Sequence, residues 1–199
     1  MKVVNLGLTH YVSVWNAMRE FTDTRNPEDD QLWITQHHAV FTQGTRSEPI
    51  AGKIQDIPVV KSDRGGLITY HGPGQLVIYF LLNIKRLGKG PRELVATLEQ
   101  TLIDYIGEYS IQAHIREGAP GVYISDKKVA ALGLRIRKGC TYHGISINVD
   151  MDLTPFTYID PCGYEDMEVT QLRDWGIAVN VEKAAEGLVT RFRSRFFSD

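Results

Sequence analysis

Cys162 is the side chain of this sequence whose type and setting best suit nucleophilic chemistry. It lies in the stretch YIDPCGYEDMEVTQL, between Pro161 and Gly163, so it belongs to a loop and not to a core. The proline fixes the backbone before the thiol and the glycine frees the backbone after it, as a positioned nucleophile requires. From this context alone, a small half-buried residue in a turn is the stronger interpretation, because free cysteines commonly act as small hydrophobic residues.

A nucleophilic cysteine needs a neighbour that lowers the pKa of its thiol, because a free thiol with a pKa of about 8.5 is mostly protonated at neutral pH. Histidines and lysines are the candidate neighbours. The basic segment SDKKVAALGLRIRKGCTYHG, residues 125–144, is most simply a solvated β-ribbon. Strand alternation would place Lys128, Ala130 and Leu132 on one face, so Lys128 is the lysine that can lean over a site. Cys140 lies in the same ribbon and is predicted to be a packed strand residue.

A glycine-rich stretch, DRGGLITYHGPGQLVIYFLLN from Asp63 to Asn83, places an arginine and a histidine before seven consecutive apolar residues. It is not a P-loop, because no G-x-x-x-x-G-K-[ST] occurs, and it is not a dinucleotide fingerprint, because no helix follows the glycines. Gly65 and Gly66 would let a ligand approach the backbone closely. Arg64 could hold a carboxylate, a phosphate or a local turn, and His71 could act as a base or a structural hydrogen bonder. A hairpin turn remains an alternative explanation of the whole stretch.

The elements that must position these residues are strands and helices in irregular order, which favours an α+β fold over a doubly wound sheet. We predict one domain over residues 1–199, with a mixed sheet and helices packed on it. The run from Gln75 to Leu82 is apolar throughout, apart from its first residue, and predicts a strand covered on both faces. Other strands are predicted at residues 3–6, 32–37, 57–62 and 67–70, and as a meander within 121–150.

Three helices are predicted from apolar residues that recur at helical spacing. The clearest follows Pro91, which suits the first turn of a helix because its missing N–H costs nothing there. The predicted buried faces are Leu94, Leu98, Leu102 and Ile106 in this helix; Val14, Ala17, Met18 and Phe21 in a helix over 11–23; and Ala184, Leu188, Phe192 and Phe196 in a helix over 181–197.

Composition argues against several classes of protein. The chain has 199 residues, 43% of them hydrophobic, and a net charge of −2, which argues against a broad nucleic-acid-binding surface. Its longest apolar run is too short to span a bilayer, and its start lacks the features of a signal peptide. We therefore expect no membrane partner, a cytoplasmic location and two reduced cysteines. No zinc-ligand spacing occurs, so no metal site is predicted.

The glycine-rich stretch resembles a known enzyme signature. RGGLITYHGPGQLVIY fills every fixed position of R-G-G-x-x-T-x-H-x-x-G-Q-x-x-x-Y, the signature of octanoyl-[acyl-carrier-protein]:protein N-octanoyltransferases, which act in lipoate biosynthesis. The segment QHHAVFTQG is similar to the E-H-P-x-V-[YF]-T-x-G of that family. DKKVAALGLRIRKGCTYHGISINVDMDL and PCGY continue the match over essentially the whole chain. One departure is that Gln36, His38 and Ala39 replace the usual glutamate and prolines around His37.

The resemblance implies a thioester mechanism that needs no metal or nucleotide. Cys162 would accept the octanoyl group from octanoyl-acyl carrier protein, and Lys128 would lower the pKa of Cys162 and act as acid and base. The family fold is that of the catalytic domains of biotin and lipoate protein ligases. The implied substrate-binding residues are Arg64, Gly65, Gly66, Leu67, Ile68, Thr69, Tyr70 and His71, with Ala131, Leu132 and Gly133, and with Gly144, Ile145 and Ser146.

The resemblance also implies protein partners. The acceptors would be lysines of the lipoyl domains of 2-oxoacid dehydrogenase complexes and of the glycine cleavage H protein. Both the donor carrier and these acceptors are typically acidic in this pathway, so any attraction to this slightly acidic chain must be local. Basic residues that could supply it, with a solvated ribbon as the alternative, are Lys127, Arg135, Arg137 and Lys138.

Three other functions compete with acyl transfer. An ATP-dependent lipoate or biotin protein ligase on the same fold would activate the acid as an adenylate and would need no nucleophilic cysteine. A non-catalytic acyl-binding or protein-binding module would form no covalent acyl-enzyme. A cysteine hydrolase would require a Cys–His pair and would release free octanoate. ATP dependence, a covalent adduct and the identity of the product discriminate among them.

The choice of Cys162 over Cys140 as nucleophile is directly testable. We expect Cys162→Ala to abolish acyl transfer and covalent adduct formation while the circular dichroism spectrum stays that of the wild type. Cys140→Ala, the matched control, should be nearly silent. Transfer at the wild-type rate by a folded Cys162→Ala protein would end the thioester hypothesis, and a comparable loss in Cys140→Ala would show that the other thiol is the nucleophile.

Overall fold

The computed structural model describes residues 1–159 and 168–197, which form two β-sheets and three α-helices. The helices are α1 (Tyr11–Thr24), α2 (Pro91–Gly107) and α3 (Val181–Phe196), and short 3₁₀ helices span Thr154–Tyr158 and Leu172–Trp175. The strands are β1 (Lys2–Thr9), β2 (Gln31–His37), β3 (Val40–Gln43), β4 (Lys53–Ile54), β5 (Ile57–Lys61), β6 (Ile68–His71), β7 (Gln75–Leu81), β8 (Ala113–Arg116), β9 (Ala119–Ile124), β10 (Lys127–Arg137) and β11 (Cys140–Asn148). The predicted α+β class is confirmed.

A seven-stranded sheet with the order β1-β2-β7-β11-β10-β9-β8 forms the body of the protein. It is mixed, because β1 and β2 are parallel while β7 pairs antiparallel with both β2 and β11. The meander predicted within residues 121–150 is confirmed as β9 to β11, and β8, which was not predicted, adds a fourth antiparallel strand to it. Strand β7 lies inside the sheet and is buried at every residue, as its unbroken apolar sequence predicts.

The two faces of this sheet carry different partners. Leu76, Ile78 and Phe80 of β7 pack with α2 and α3 in the largest hydrophobic cluster. Val77 and Tyr79 point to the opposite face, because side chains alternate along a strand, and they pack with α1. The predicted buried stripes of α2 and α3 are confirmed, since all eight of their residues are buried.

The buried face of α1 differs from the prediction at one residue. Tyr11, Val14, Met18 and Thr22 are buried, whereas Ala17 is exposed and Phe21 is half-buried. With about 100° of rotation per residue, Ala17 lies about 60° outside the arc that the four buried residues share. Placing Ala17 on the buried face was therefore wrong.

The HGPG segment is a crossing between two sheets and not a hairpin turn. Strand β6 belongs to a four-stranded sheet of order β4-β5-β3-β6 and pairs with β3, whereas β7 pairs with β2 and β11. At Gly74 the backbone has φ +86°, and a Cβ there would overlap the carbonyl oxygen of Asp150. The amides of Val149 and Asp150 both donate to the Gly74 carbonyl, which fixes the crossing against the end of β11. No α-helix in the described residues is long and apolar enough to cross a membrane.

The close approach at Gly74 predicts a specific stability difference. Gly88 also has positive φ, at +66°, but a Cβ added there would have nothing within 4 Å. Both Gly74→Ala and Gly88→Ala incur left-handed strain of about 1–2 kcal/mol, but only Gly74→Ala also forces a backbone overlap. We expect Gly74→Ala to lower the free energy of unfolding by at least about 2 kcal/mol more than Gly88→Ala, as measured by urea denaturation. Equal losses would mean that the crossing is not fixed as described.

Candidate active site

A cleft of about 550 Å³ lies against the α1 side of the large sheet. This volume includes space that is open to solvent, and the enclosed part is about 60 Å³. The cleft brings together residues from all three predicted substrate-binding segments, although these are far apart in sequence. They are Arg64, Gly66, Leu67, Ile68, Thr69 and His71; Ala131, Leu132 and Gly133; and Gly144, Ile145 and Ser146.

Two residues of the predicted segments lie elsewhere. Gly65 lines a neighbouring groove, where its amide donates to the Leu134 carbonyl at 3.1 Å. Tyr70 packs with Phe41 and Phe156 in the cluster under the small sheet. Because Ile68–His71 is a strand, successive side chains point to opposite sides, so the segment as a whole cannot face one cavity.

Strand register sets the order of residues along the cleft. Ser146 of β11 is paired with Val77 of β7 on one side and with Ala131 of β10 on the other. Two residues further along, Gly144 is paired in the same way with Tyr79 and Gly133. The two rows are about 7 Å apart, because a strand rises about 3.4 Å per residue. The cleft therefore runs along the strands, over small side chains and bare backbone.

Arg64 holds the glycine-rich loop in place. Its side chain is buried, and its guanidinium donates to Thr42 Oγ1 at 2.9 Å, to the Thr42 carbonyl at 2.5 Å, and to the carbonyls of Gly65 and Leu67 at 2.9 and 2.7 Å. Of the roles that the sequence left open for Arg64, holding a local turn is the one these contacts describe. A Cβ on Gly133 would come within 3.2 Å of the Gly65 carbonyl oxygen, so bare backbone lets the loop lie close to β10.

Asp63, which the sequence did not single out, organises one wall of the cleft. It accepts hydrogen bonds from Trp15 Nε1 at 2.8 Å, from His143 Nε2 at 2.9 Å and from the Tyr142 hydroxyl. Burial alone would raise the pKa of Asp63, but the hydrogen bonds from His143, Tyr142 and Trp15 outweigh it and hold that pKa below its ordinary value. The only sequence signal was its position directly before Arg64.

His143 is a neutral imidazole with a fixed tautomer. Burial lowers its pKa, and the Asp63 carboxylate only accepts, so Nε2 carries the proton. Nδ1 is then an acceptor, and among the described residues it is buried without a hydrogen-bond partner. The backbone of His143 has φ +61°, a left-handed conformation that is unusual for a residue with a side chain. This conformation interrupts the regular alternation of β11 beside Gly144.

Buried tyrosines and histidines close the cleft at the end where α1 begins. The Tyr79 hydroxyl lies 2.6 Å from His37 Nε2, and the Tyr11 hydroxyl lies 2.7 Å from Ser62 Oγ. Burial lowers the pKa of His37 to about 4 and raises the pKa of Tyr11 to about 12. Burial, reinforced by the charges of His37 and Arg64, lowers the pKa of His71 to about 3. These groups are uncharged near neutral pH and make a closed end suited to an uncharged ligand.

Lys128 lies next to the cleft. It is 4% exposed, and it lines a small pocket that shares Thr69, Ala131 and Ser146 with the cleft. Its Nζ donates to the Pro120 carbonyl at 3.1 Å and lies 5.3 Å from the centre of the Tyr123 ring. Cys162, the predicted nucleophile, lies outside the described residues.

Two details of β10 differ from simple alternation. The pairing with β9 shifts register between Lys128 and Ala130, so the predicted common face of Lys128, Ala130 and Leu132 is interrupted by a bulge. Ala130 belongs to the large core, and Leu132 packs against that core.

The basic residues of the ribbon do not gather around Lys128. Lys127 is exposed and pairs with Glu168 at 2.6 Å. Arg135 lies seven residues from Lys128, which is about 23 Å along an extended strand. Arg137 and Lys138 both pair with Asp23. Only Lys127 is therefore close to Lys128.

The fold and this cleft define a class of protein that comparison with known sequences identifies. The family model of the lipoyl protein ligase A/B catalytic domain matches residues 10–193. The chain belongs to this family.

Curated relatives give a narrower assignment. The chain is 53% identical over 191 residues to the octanoyltransferase of Klebsiella pneumoniae, an alignment that covers 92% of this chain and 87% of the relative. It is 51% identical over 189 residues to the octanoyltransferase of Chromobacterium violaceum, covering 94% and 91% of the two chains. The predicted resemblance to the octanoyltransferases is confirmed, and the chain is an enzyme of the acyltransferase class.

Solved structures share the fold at low sequence identity. A lipoate-protein ligase A bound with ATP superposes with a TM-score of 0.76 at 13% identity, covering 98% of this chain and 84% of the other. The biotin protein ligase of Aquifex aeolicus superposes with a TM-score of 0.60 at 14% identity, covering 98% and 69%. The predicted kinship in fold with the catalytic domains of these ligases is confirmed.

The buried histidines predict how stability depends on pH. The folded-state pKa of His71 is about 3, whereas an unfolded histidine has a pKa of about 6.5, so the unfolded chain binds more protons between these values. The free energy of unfolding should therefore fall as pH falls from about 6.5 towards 3. In His71→Gln the slope over this window should be shallower by about 1.4 kcal/mol per pH unit, the contribution of one proton.

Urea denaturation at several pH values measures this slope. His38→Gln, which removes an exposed imidazole, is the control for the histidine count. A slope in His71→Gln equal to that of the wild type would show that His71 is not held neutral in the folded protein.

Proposed function

We propose that this chain transfers an octanoyl group from octanoyl-acyl carrier protein to a lysine of lipoyl-accepting domains, through a thioester on Cys162. The single observation that carries the proposal is the cleft itself, which is lined by small residues, bare backbone and buried uncharged groups and adjoins the pocket of Lys128 through Thr69, Ala131 and Ser146. A saturated acyl chain gains from leaving water and needs no polar partner along its length. The octanoyltransferase relatives support the choice of acyl group.

The first step exchanges one thioester for another. The Cys162 thiolate attacks the carbonyl carbon of the donor, the bond from that carbon to the sulfur of the carrier breaks, and the carrier leaves as a thiolate that takes the proton of the Lys128 ammonium. Lys128 is then a neutral amine and can act as a base in the second step. The two thioesters have similar energy, so the step needs no ATP. A nearby ammonium favours the thiolate form of the cysteine, and the proposed ammonium is that of Lys128.

The second step forms an amide. The acceptor amine attacks the acyl-enzyme carbonyl, the bond to Cys162 Sγ breaks, and the amine loses one proton. A free lysine amine has a pKa of about 10.4, so a base must take that proton as the amide forms. In the proposal this base is Lys128, whose buried side chain packs on the bare backbone of Gly121, 3.0 Å from where a Cβ would stand.

The proposed acceptors are the lipoyl domains of 2-oxoacid dehydrogenase complexes and the glycine cleavage H protein. We propose that the reaction takes place in the cytoplasm. One solved neighbour is a lipoyl-attaching system described with its E2 lipoyl domain, from Thermoplasma acidophilum, and it supports lipoyl domains as the type of acceptor. An ATP-dependent ligase is the second candidate, because the fold is shared with a lipoate-protein ligase that binds ATP.

Intact mass spectrometry after incubation with octanoyl-acyl carrier protein, without ATP, tests the proposal. We expect a single octanoyl adduct on Cys162, located by peptide mapping. Absence of an adduct, together with transfer of octanoate only when ATP is supplied, would replace the transferase with a ligase.

The role of Lys128 predicts the effect of two substitutions. Lys128→Met should reduce transfer by at least about 100-fold, since general acid–base catalysis contributes about 10²–10⁴-fold. Lys128→Arg should not restore transfer, because arginine supplies positive charge but does not give up a proton. Lys127→Met is the matched control, since Lys127 is exposed and paired with Glu168.

Steady-state transfer to a lipoyl domain measures all three variants. Near-wild-type transfer by Lys128→Arg would show that only the charge of Lys128 is needed. If Lys127→Met lost as much transfer as Lys128→Met, the loss in Lys128→Met could not be assigned to the acid and base role of Lys128.

A further inference from the structure

A chain of buried hydrogen bonds connects the glycine-rich loop to the backbone of Lys128. It begins at Thr42, whose Oγ1 accepts from Arg64 Nε and lies 3.3 Å from His71 Nε2. His71 Nδ1 is 2.6 Å from Gln75 Oε1, and Gln75 Nε2 donates to Asn148 Oδ1 at 2.9 Å. The side chains in this chain are almost fully buried.

The chain ends on the segment that follows the Cys162 loop. Asn148 Nδ2 donates to the Thr170 carbonyl at 2.9 Å. Thr170 in turn donates its amide to the Lys128 carbonyl at 2.9 Å, and the Lys128 amide donates to the Glu168 carbonyl at 2.9 Å. Residues 168–170 therefore lie along Lys128 as a short parallel bridge, which is centred on Val169.

The bridge is also anchored by side chains next to it in sequence, because Glu168 pairs with Lys127 and Thr170 Oγ1 bonds to Asp174 and Trp175, but only Asn148 ties it to the polar chain described above. Val169 pairs with Lys128 alone, outside any strand, and the residues before Glu168 are those that carry Cys162. Lys128 lies at a bulge, where the ladder to β9 is already out of register. Lys128 itself pairs with Tyr123, and Val129 is the residue that the bulge leaves without a ladder partner. The regular ladder to β9 therefore holds Lys128 on one side of the bulge only, and the bridge that the Asn148 amide fixes adds a second restraint.

We propose that Gln75 and Asn148 are positioning residues for the Lys128 centre. Asn148 fixes residues 168–170 against Lys128, and Gln75 fixes the orientation of the Asn148 amide. The inference deepens the proposed function and rests on it for its catalytic meaning. It also gives Gln75, a fixed position of the signature, a physical role: the signature reaches the reacting end of the cleft through the interior and not only through the cleft lining.

Two readouts test the proposal on the full chain. The first is hydrogen exchange at the amides of Lys128 and Thr170, which reports on the bridge without any assumption about activity. The second is the apparent pKa of Cys162, from the pH dependence of its alkylation by iodoacetamide, which reports on how Lys128 acts on the thiol.

The variant Asn148→Leu keeps the branched shape of the side chain and removes both hydrogen bonds. We expect exchange at the amides of Lys128 and Thr170 to be at least about 10-fold faster, and the apparent pKa of Cys162 to rise by about one unit, as a misplaced ammonium stabilises the thiolate less. Gln75→Leu should shift both readouts in the same direction by a smaller amount. It replaces Asn148→Leu in the test if Asn148→Leu does not fold.

Thr141→Val is the matched control. Thr141 is buried on the same strand as Asn148, and its Oγ1 donates to the Phe80 carbonyl and accepts from the Leu82 amide at the other end of the strand. We expect Thr141→Val to lower the free energy of unfolding about as much as Asn148→Leu does. It should change neither the exchange of the Lys128 and Thr170 amides nor the pKa of Cys162. Faster exchange at these two amides in Thr141→Val would overturn the proposal, because the effect would then be global.

Two further outcomes separate this inference from the proposed function. If the Cys162 pKa rises in Lys128→Met but is unchanged in folded Asn148→Leu and Gln75→Leu, the positioning role alone is overturned. A Cys162 pKa that is the same in the wild type and in Lys128→Met would overturn the Cys162–Lys128 pairing, and the exchange readout would then decide whether Asn148 positions the bridge.

Discussion

The buried guanidinium of Arg64 is the constraint on which the rest of the site depends. A charge taken out of water costs several kcal/mol unless hydrogen bonds replace its solvent, so the surrounding backbone must offer acceptors. The loop meets this demand by turning the carbonyls of Gly65 and Leu67 inwards, and β3 meets it with both oxygens of Thr42. The same Thr42 hydroxyl lies beside His71, so one cation ties the small sheet, the glycine loop and the interior polar chain together.

Local pattern predicted the three helices and most strands, but it missed β3, β4 and β8 and did not show which strands pair. The four-residue spacing of Leu94, Leu98 and Leu102 predicted α2, and the apolar run of β7 predicted a strand covered on both faces. The resemblance to octanoyltransferases led to the three segments that meet at the cleft. Strand pairing, in contrast, depends on contacts between residues distant in sequence, so nothing in HGPG distinguished a hairpin from a crossing between two sheets.

Polar residues inside the protein were the hardest to predict. Asp63 and Asn148 have ordinary sequence neighbours, and their importance comes from partners about 80 and 22 residues away, His143 and Thr170. The bulge at Lys128 was also invisible, because a one-residue shift in pairing leaves no mark in the sequence of one strand. The fold is shared with a lipoate-protein ligase bound with ATP, so architecture alone does not decide the chemistry.

A chase of the isolated acyl-enzyme tests the central claim most directly. The octanoyl-loaded protein is freed of donor, mixed with a lipoyl domain in the absence of ATP, and both chains are weighed by mass spectrometry over time. A competent thioester intermediate predicts that the octanoyl group leaves Cys162 and appears on a lysine of the lipoyl domain in equal amount. An adduct that persists, or that is lost only as free octanoate, would contradict it.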